Sequence, residues 1–175
     1  TGVRTVMGVL RPAVETVTRV PVELVGAGRT DAGVHAWGQI VSGDLPVDVD
    51  LARLQRSLNR LCAPDVAVRE VDWAPNGFSA RFSATARSYR YDLWNDPVPN
   101  PLLTRFAWHV PEPLDLAAMN VAAADLVGEH DFSSFCRRPT TREGVPEASL
   151  VRRVLRAHWD DAGAPHGRIG LEITA

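Results

Sequence analysis

Lysine is absent from this sequence: all 19 basic residues are arginine. That excludes the lysine of a phosphate-binding Walker loop, a pyridoxal Schiff base and any amine nucleophile. Cysteine is scarce, and Cys62 and Cys136 fit none of the paired metal spacings, so both are expected to be buried free thiols. No apolar run approaches the length of a bilayer span, and the start carries neither a basic leader nor a small-residue cleavage site. The expectation is a cytoplasmic protein with no membrane partner. Excess charge is also missing, since the formal net charge is −2. That argues against a protein that coats nucleic acid indiscriminately, but it leaves room for an arginine-lined cleft, because backbone affinity depends on where the charge sits.

What is present suffices for a packed core: 175 residues, 45% of them hydrophobic and 23% charged, enough for one domain or two small ones. Val6, Val9, Leu10, Ala13 and Val17 fall at helical spacing behind a Thr5 cap, with Pro12 inside the run expected to kink or delay the helix. A short strand over Pro21 to Val25, a loop from Gly26 to Gly33 and a strand from Trp37 to Ser42 are expected next. Asp50 caps a helix whose stripe is Leu51, Leu54, Leu58 and Leu61, and Val66 to Trp73 is expected to be a strand.

In the second half, Tyr89, Tyr91 and Leu93 alternate with Arg90 and Asp92 as in a half-buried strand. A helix follows from an Asp115 cap through Leu116, Met119, Ala123 and Leu126 to a stop at Gly128. Val151 to Trp159 and Arg168 to Thr174 are the expected closing strands.

Helix, strand, strand, helix, strand is the split β-α-β-β-α-β order without its opening strand. Strand, helix, strand, strand is the same order without its last helix and strand. The expected fold class is therefore α+β: two pseudo-repeated ferredoxin-like units, 1–76 and 77–175, forming a largely antiparallel sheet flanked by helices. On this reading the chain is truncated at both ends, in agreement with its first residue being Thr1.

The chemistry concentrates in Gly26-Ala27-Gly28-Arg29-Thr30-Asp31-Ala32-Gly33. As a dinucleotide fingerprint it fails, because the third glycine would fall at Asp31 and a strand follows where a helix is needed. As a Walker loop it fails too, since Val34-His35 stands where Lys-Ser or Lys-Thr is required. Spacing alone leaves open a plain glycine-rich turn in which Asp31 is a local cap.

The stretch Ala27 to Ala36 resembles the active-site motif of the tRNA pseudouridine synthase A family, whose Arg-Thr-Asp carries the catalytic aspartate. Phe78 to Tyr91, ending near Asn95, is similar to that family's tyrosine strand in content and order, and Gly128 to Phe135 resembles a third family segment. Together the three blocks span almost the whole chain. The resemblance implies a cofactor-free and metal-free isomerase that converts uridine to pseudouridine in the anticodon stem-loop of tRNA, at tRNA positions thirty-eight to forty, and works as a homodimer.

The residue types suit such a reaction. The bond from uracil N1 to ribose C1′ must break, the base must turn, and C5 must join C1′, with no redox change. A carboxylate can attack or stabilise an electron-poor anomeric carbon, or take a sugar proton in an elimination route. By the resemblance, Asp31 is the nucleophile. Arg29 matches an arginine used when the target nucleotide leaves its stack, giving it a catalytic and a substrate-binding role. Its plainer alternatives are a phosphate contact or a salt bridge with Asp31. Tyr89 corresponds to the first tyrosine of the family strand and would stack on the flipped uracil or serve proton transfer, whereas core packing is the expectation for Tyr91.

Other groups carry less. His35 follows a tight turn and is expected to be a hydrogen-bonded structural residue. Glu129, His130 and Asp131 are consecutive, a poor arrangement for one ion. Arg137, Arg138 and Arg142 form a basic loop suited equally to phosphates or to solvent. Against the family pattern, a first strand with Tyr-Asp-Gly-type and Gly-Trp-Gln-type residues is missing before Thr1. A Met-Val-Arg-type segment, whose arginine usually pairs with the aspartate, is missing after Ala175. Two other readings remain: an RNA-binding homologue or fragment without catalysis, and a sugar-phosphate hydrolase, which would need a metal or a second carboxylate near Asp31.

Overall fold

The structure, a computed structural model, describes residues 4–135, 149–161 and 167–175. It is mixed α and β, in two compact units, one within Thr1–Ala84 and the other within Thr85–Ala175. No helix among the described residues is long and apolar enough to cross a membrane.

The first unit is built on two helices, α1 (Val6–Thr18) and α2 (Leu51–Leu61). Thr5 caps α1, its hydroxyl accepting from the Gly8 N–H at 3.0 Å. Pro12 neither delays nor ends this helix. It lies on the exposed side, where a carbonyl left without its N–H partner can meet water, while Leu10, Ala13 and Val14 are buried on the other side. Asp50 caps α2 by accepting from the Arg53 N–H at 2.9 Å. Leu54, Leu58 and Cys62 then close a core with Leu10, Ala13, Val14 and Val22. Cys62 is a free thiol there, and burial pushes its pKa up. Cys136 lies outside the described residues.

The strands expected in this unit are mostly not laddered. Only β1 (Val25–Gly26) and β2 (Val41–Ser42) pair, antiparallel, as the base of a hairpin. Pro21 has no N–H to give a ladder, and the Gln39 side-chain amide donates to the Gly28 carbonyl inside the loop. Residues 66–73 form no strand because α2 takes their backbone groups. Asn59 donates to the Val68 carbonyl at 2.9 Å and accepts from the Val68 N–H at 2.6 Å, and Gln55 donates to the Arg69 carbonyl.

The second unit holds a four-stranded sheet of β3 (Ser88–Asn95), β4 (Trp108–Val110), β7 (Arg156–Asp161) and β8 (Arg168–Thr174) in the order β4-β3-β8-β7. The β3–β4 pair is parallel and the other two pairs are antiparallel. Helix α3 (Leu116–Ala124) is capped by Asp115, which accepts from Ala117 and Ala118 N–H. It packs on β7, where the Asn120 side chain donates to the Trp159 carbonyl at 2.9 Å and accepts from its N–H at 2.8 Å.

Val151 to Trp159 is not one strand. β6 (Val151–Val154) pairs with β5 (Gly128–Asp131) in a separate ribbon, and after Leu155 the chain changes partner to β8. Gly128, at φ 121°, opens β5, and the last helix before it ends at Ala124.

One face of the four-stranded sheet is tied by charge. Arg90 pairs with Asp92 on its own strand at 2.9 Å, with Glu172 on β8 at 3.1 Å, and with both oxygens of Asp160 on β7. Arg168 adds a bond to Asp92 at 2.8 Å. Hydrogen bonding to Asp160 holds the Arg90 guanidinium pKa well above its ordinary value, and the reciprocal bonds from Arg90 lower the pKa of Asp160.

Candidate active site

Asp31 stands in the loop of the β1–β2 hairpin, just past the point where the Ala27 N–H donates to the Ile40 carbonyl at 2.9 Å. Asp31 opens a four-residue turn whose closing bond runs from the Val34 N–H to the Asp31 carbonyl at 3.2 Å. Gly33 occupies the third position with φ 86°, a backbone conformation that is open to glycine and strained for other residues. The turn therefore fixes Asp31 through its main chain and leaves the carboxylate outward.

Asp31 and Arg29 are both exposed, and among the described residues neither enters an ion pair. The salt bridge between them that the sequence allowed is therefore not formed. Both groups are presented from one loop, pinned at its base by the ladder and just above it by the Gln39–Gly28 bond. A carboxylate and a guanidinium held this way can meet a sugar and a phosphate without first breaking an internal pair.

Tyr89 stands on β3 in the second unit, opposite Ile173 of β8, and is 58% exposed. Its backbone is fixed by a ladder that runs unbroken from Ser88↔Thr174 to Trp94↔Arg168. Tyr91, expected in the core, is 54% exposed instead. Burial along β3 begins only near its end, at Leu93 and Trp94, and both tyrosines precede that point.

The third block forms β5 and the turn after it. His130 Nε2 lies 3.1 Å from the Val127 carbonyl, and its ring meets Phe132 edge-on at 6.1 Å. Arg137, Arg138 and Arg142 lie outside the described residues. Sequence reading passed over one pair: Trp37, 89% exposed in the Asp31 loop, carries the Arg69 guanidinium 5.9 Å from its ring centroid. The sequence placed Trp37 at the head of the expected 37–42 strand, where periodicity weighs it only as a strand residue.

Comparison with curated proteins places these residues in context. A protein of Frankia casuarinae named tRNA pseudouridine synthase A is 46% identical over 178 residues, covering 99% of this chain and 61% of the relative. Proteins of the same name from Methylacidiphilum infernorum and Cutibacterium acnes are each 40% identical, over 91% and 98% of this chain respectively and 61% of either relative. The chain is similar, over most of its length, to proteins named tRNA pseudouridine synthase A. No general family model matches it. The chain spans about three fifths of the length of the curated relatives it matches. The Frankia alignment reaches across nearly all of the chain, so all three motif blocks fall within the aligned stretch.

Proposed function

We propose that the protein to which this chain belongs is a tRNA pseudouridine synthase, isomerising uridine to pseudouridine in the anticodon stem-loop at tRNA positions thirty-eight to forty. The observation that carries the reading is the alignment with relatives named for this activity, running through a loop that presents an unpaired, exposed carboxylate at Asp31.

Asp31 is the nucleophile in this reading. Its carboxylate attacks C1′ as the N1–C1′ bond breaks, or removes a sugar proton in an elimination. In the first route the freed uracil turns and C5 displaces the Asp31 carboxylate from C1′; in the second C5 adds to C1′ and Asp31 returns the proton it took from the sugar. The C5 proton then leaves to solvent and N1 gains one, so atoms and charge balance with no oxidant or energy source. Arg29, two residues away, binds the backbone of the displaced nucleotide and offers a fixed cation as the base leaves the stack. Tyr89 stacks on the flipped uracil or relays the proton.

The architecture of the whole protein is proposed as two pseudo-repeated ferredoxin-like units, assembled as a cytoplasmic homodimer around tRNA. A catalytically incomplete RNA-binding homologue is the second reading, and no observation favours it. The test is release of tritium from tRNA labelled at uridine C5, using the complete protein. Stoichiometric release is expected, and tRNA binding with no release would leave only the second reading.

A further inference from the structure

We infer that Trp37, backed by Arg69, is a stacking site for an unpaired RNA base close to the target nucleotide. The inference rests on the proposed action on RNA. Trp37 is 89% exposed, in the same hairpin loop as Asp31. An indole so exposed gains almost nothing from burial within the described residues, and the Arg69 guanidinium at 5.9 Å from its centroid is its recorded partner there.

Arg69 is not a loosely tethered cation. Its carbonyl accepts from Gln55 on α2, and the residue before it is held through both backbone groups by Asn59, so the segment that presents the guanidinium is clamped to the helix. Trp37 is held from the other side. Gln39, two residues on, ties the loop to Gly28, and Val41 enters the ladder. The result is an aromatic face with a fixed cation against it.

Every base offers a π-face to such a ring, and a guanidinium beside the ring adds cation–π attraction and a contact for the adjoining phosphate. A single-stranded or splayed nucleotide is the ligand that uses both. The six steps of chain from Asp31 to Trp37 span at most ~22 Å when fully extended, so the stacked base lies within a few nucleotides of the one at Asp31.

The experiment measures tRNA affinity, and tritium release from tRNA labelled at uridine C5, for the complete protein and its Trp37→Ala and Trp37→Phe variants. Trp37→Ala should raise the Kd about 5- to 100-fold, the range found when a stacked aromatic is removed, with KM rising in parallel. Trp37→Phe should restore most of the affinity. An active parent whose Trp37→Ala variant binds tRNA equally well overturns the stacking site and leaves the enzyme reading intact. A parent that releases no tritium yet binds RNA through Trp37 overturns the enzyme reading and keeps the site.

Discussion

Arg90 crosses a whole strand to reach Asp160. Its two terminal nitrogens lie 2.9 and 3.1 Å from the carboxylate oxygens, and between the two residues runs β8 at Gly170, which is in register with both Asp92 and Asp160. A Cβ at position 170 would overlap the Arg90 guanidinium, so the crossing depends on that glycine.

Gly170→Ala should therefore displace the guanidinium and destabilise the protein by about 1 kcal/mol, the scale of a partly exposed charged pair. Arg90→Ala should cost somewhat more, because Asp92, Asp160 and Glu172 are then left close together without their shared cation. In urea unfolding the double variant should lose less than the sum of the two, since both changes break the same contact. Full additivity would show that Gly170 does not seat Arg90.

The same pair sets a pH dependence. Hydrogen bonding from Arg90 lowers the Asp160 pKa from its ordinary value of 3.8. A carboxylate depressed on folding contributes stability that is present above the unfolded pKa and is lost as pH falls through the folded one. Stability should thus decline as pH drops below about 4, and Asp160→Asn should flatten part of that decline while lowering stability at neutral pH. Unfolding midpoints across pH 2.5 to 7 (roughly the window in which aspartate titrates) check this.

Asn59 tests how the first unit holds residues 66–73 without a sheet. Asn59→Ala leaves the Val68 N–H without its side-chain partner and its carbonyl with only the 3.3 Å bond from Gln55, which should cost about 1–3 kcal/mol. Protection of the Val68 amide against hydrogen exchange should fall in step. A variant as stable as the parent would mean that water replaces the bonds at no cost.

The helices were legible in the sequence because each carries its own start signal: Thr5, Asp50 and Asp115 all accept from first-turn N–H groups, as their residue types suggested. The strands at 88–95 and 168–174 were legible because their alternation puts Arg90, Asp92, Arg168 and Glu172 on one face, where they pair. Alternation failed over 66–73, where side-chain amides replace the ladder, and at Leu155, where a continuous pattern hides a change of partner. It also failed at Tyr91, since alternation assigns a face but not what covers it. The turn at Asp31 could be read from Gly33 alone. Its chemistry could not, because a glycine-rich turn with a capping aspartate has the same spacing, and the proposed role of Asp31 rests on the resemblance.

Tyr89 is expected to act through both its ring and its hydroxyl. Tyr89→Phe in the complete protein should keep tRNA binding and lose roughly 10²- to 10⁴-fold in rate if the hydroxyl moves a proton. Tyr89→Leu should also weaken binding by about 1–3 kcal/mol, through loss of the stacked base. Parental affinity and rate in both variants would make Tyr89 a structural residue of β3.

The proposed chemistry rests most directly on Asp31. In the complete protein, Asp31→Asn should leave folding and tRNA binding largely intact and reduce tritium release from C5-labelled uridine in tRNA by roughly 10³-fold or more, the scale on which losing a nucleophile acts. Substantial turnover by the Asn variant would contradict the assignment of Asp31 as the nucleophile.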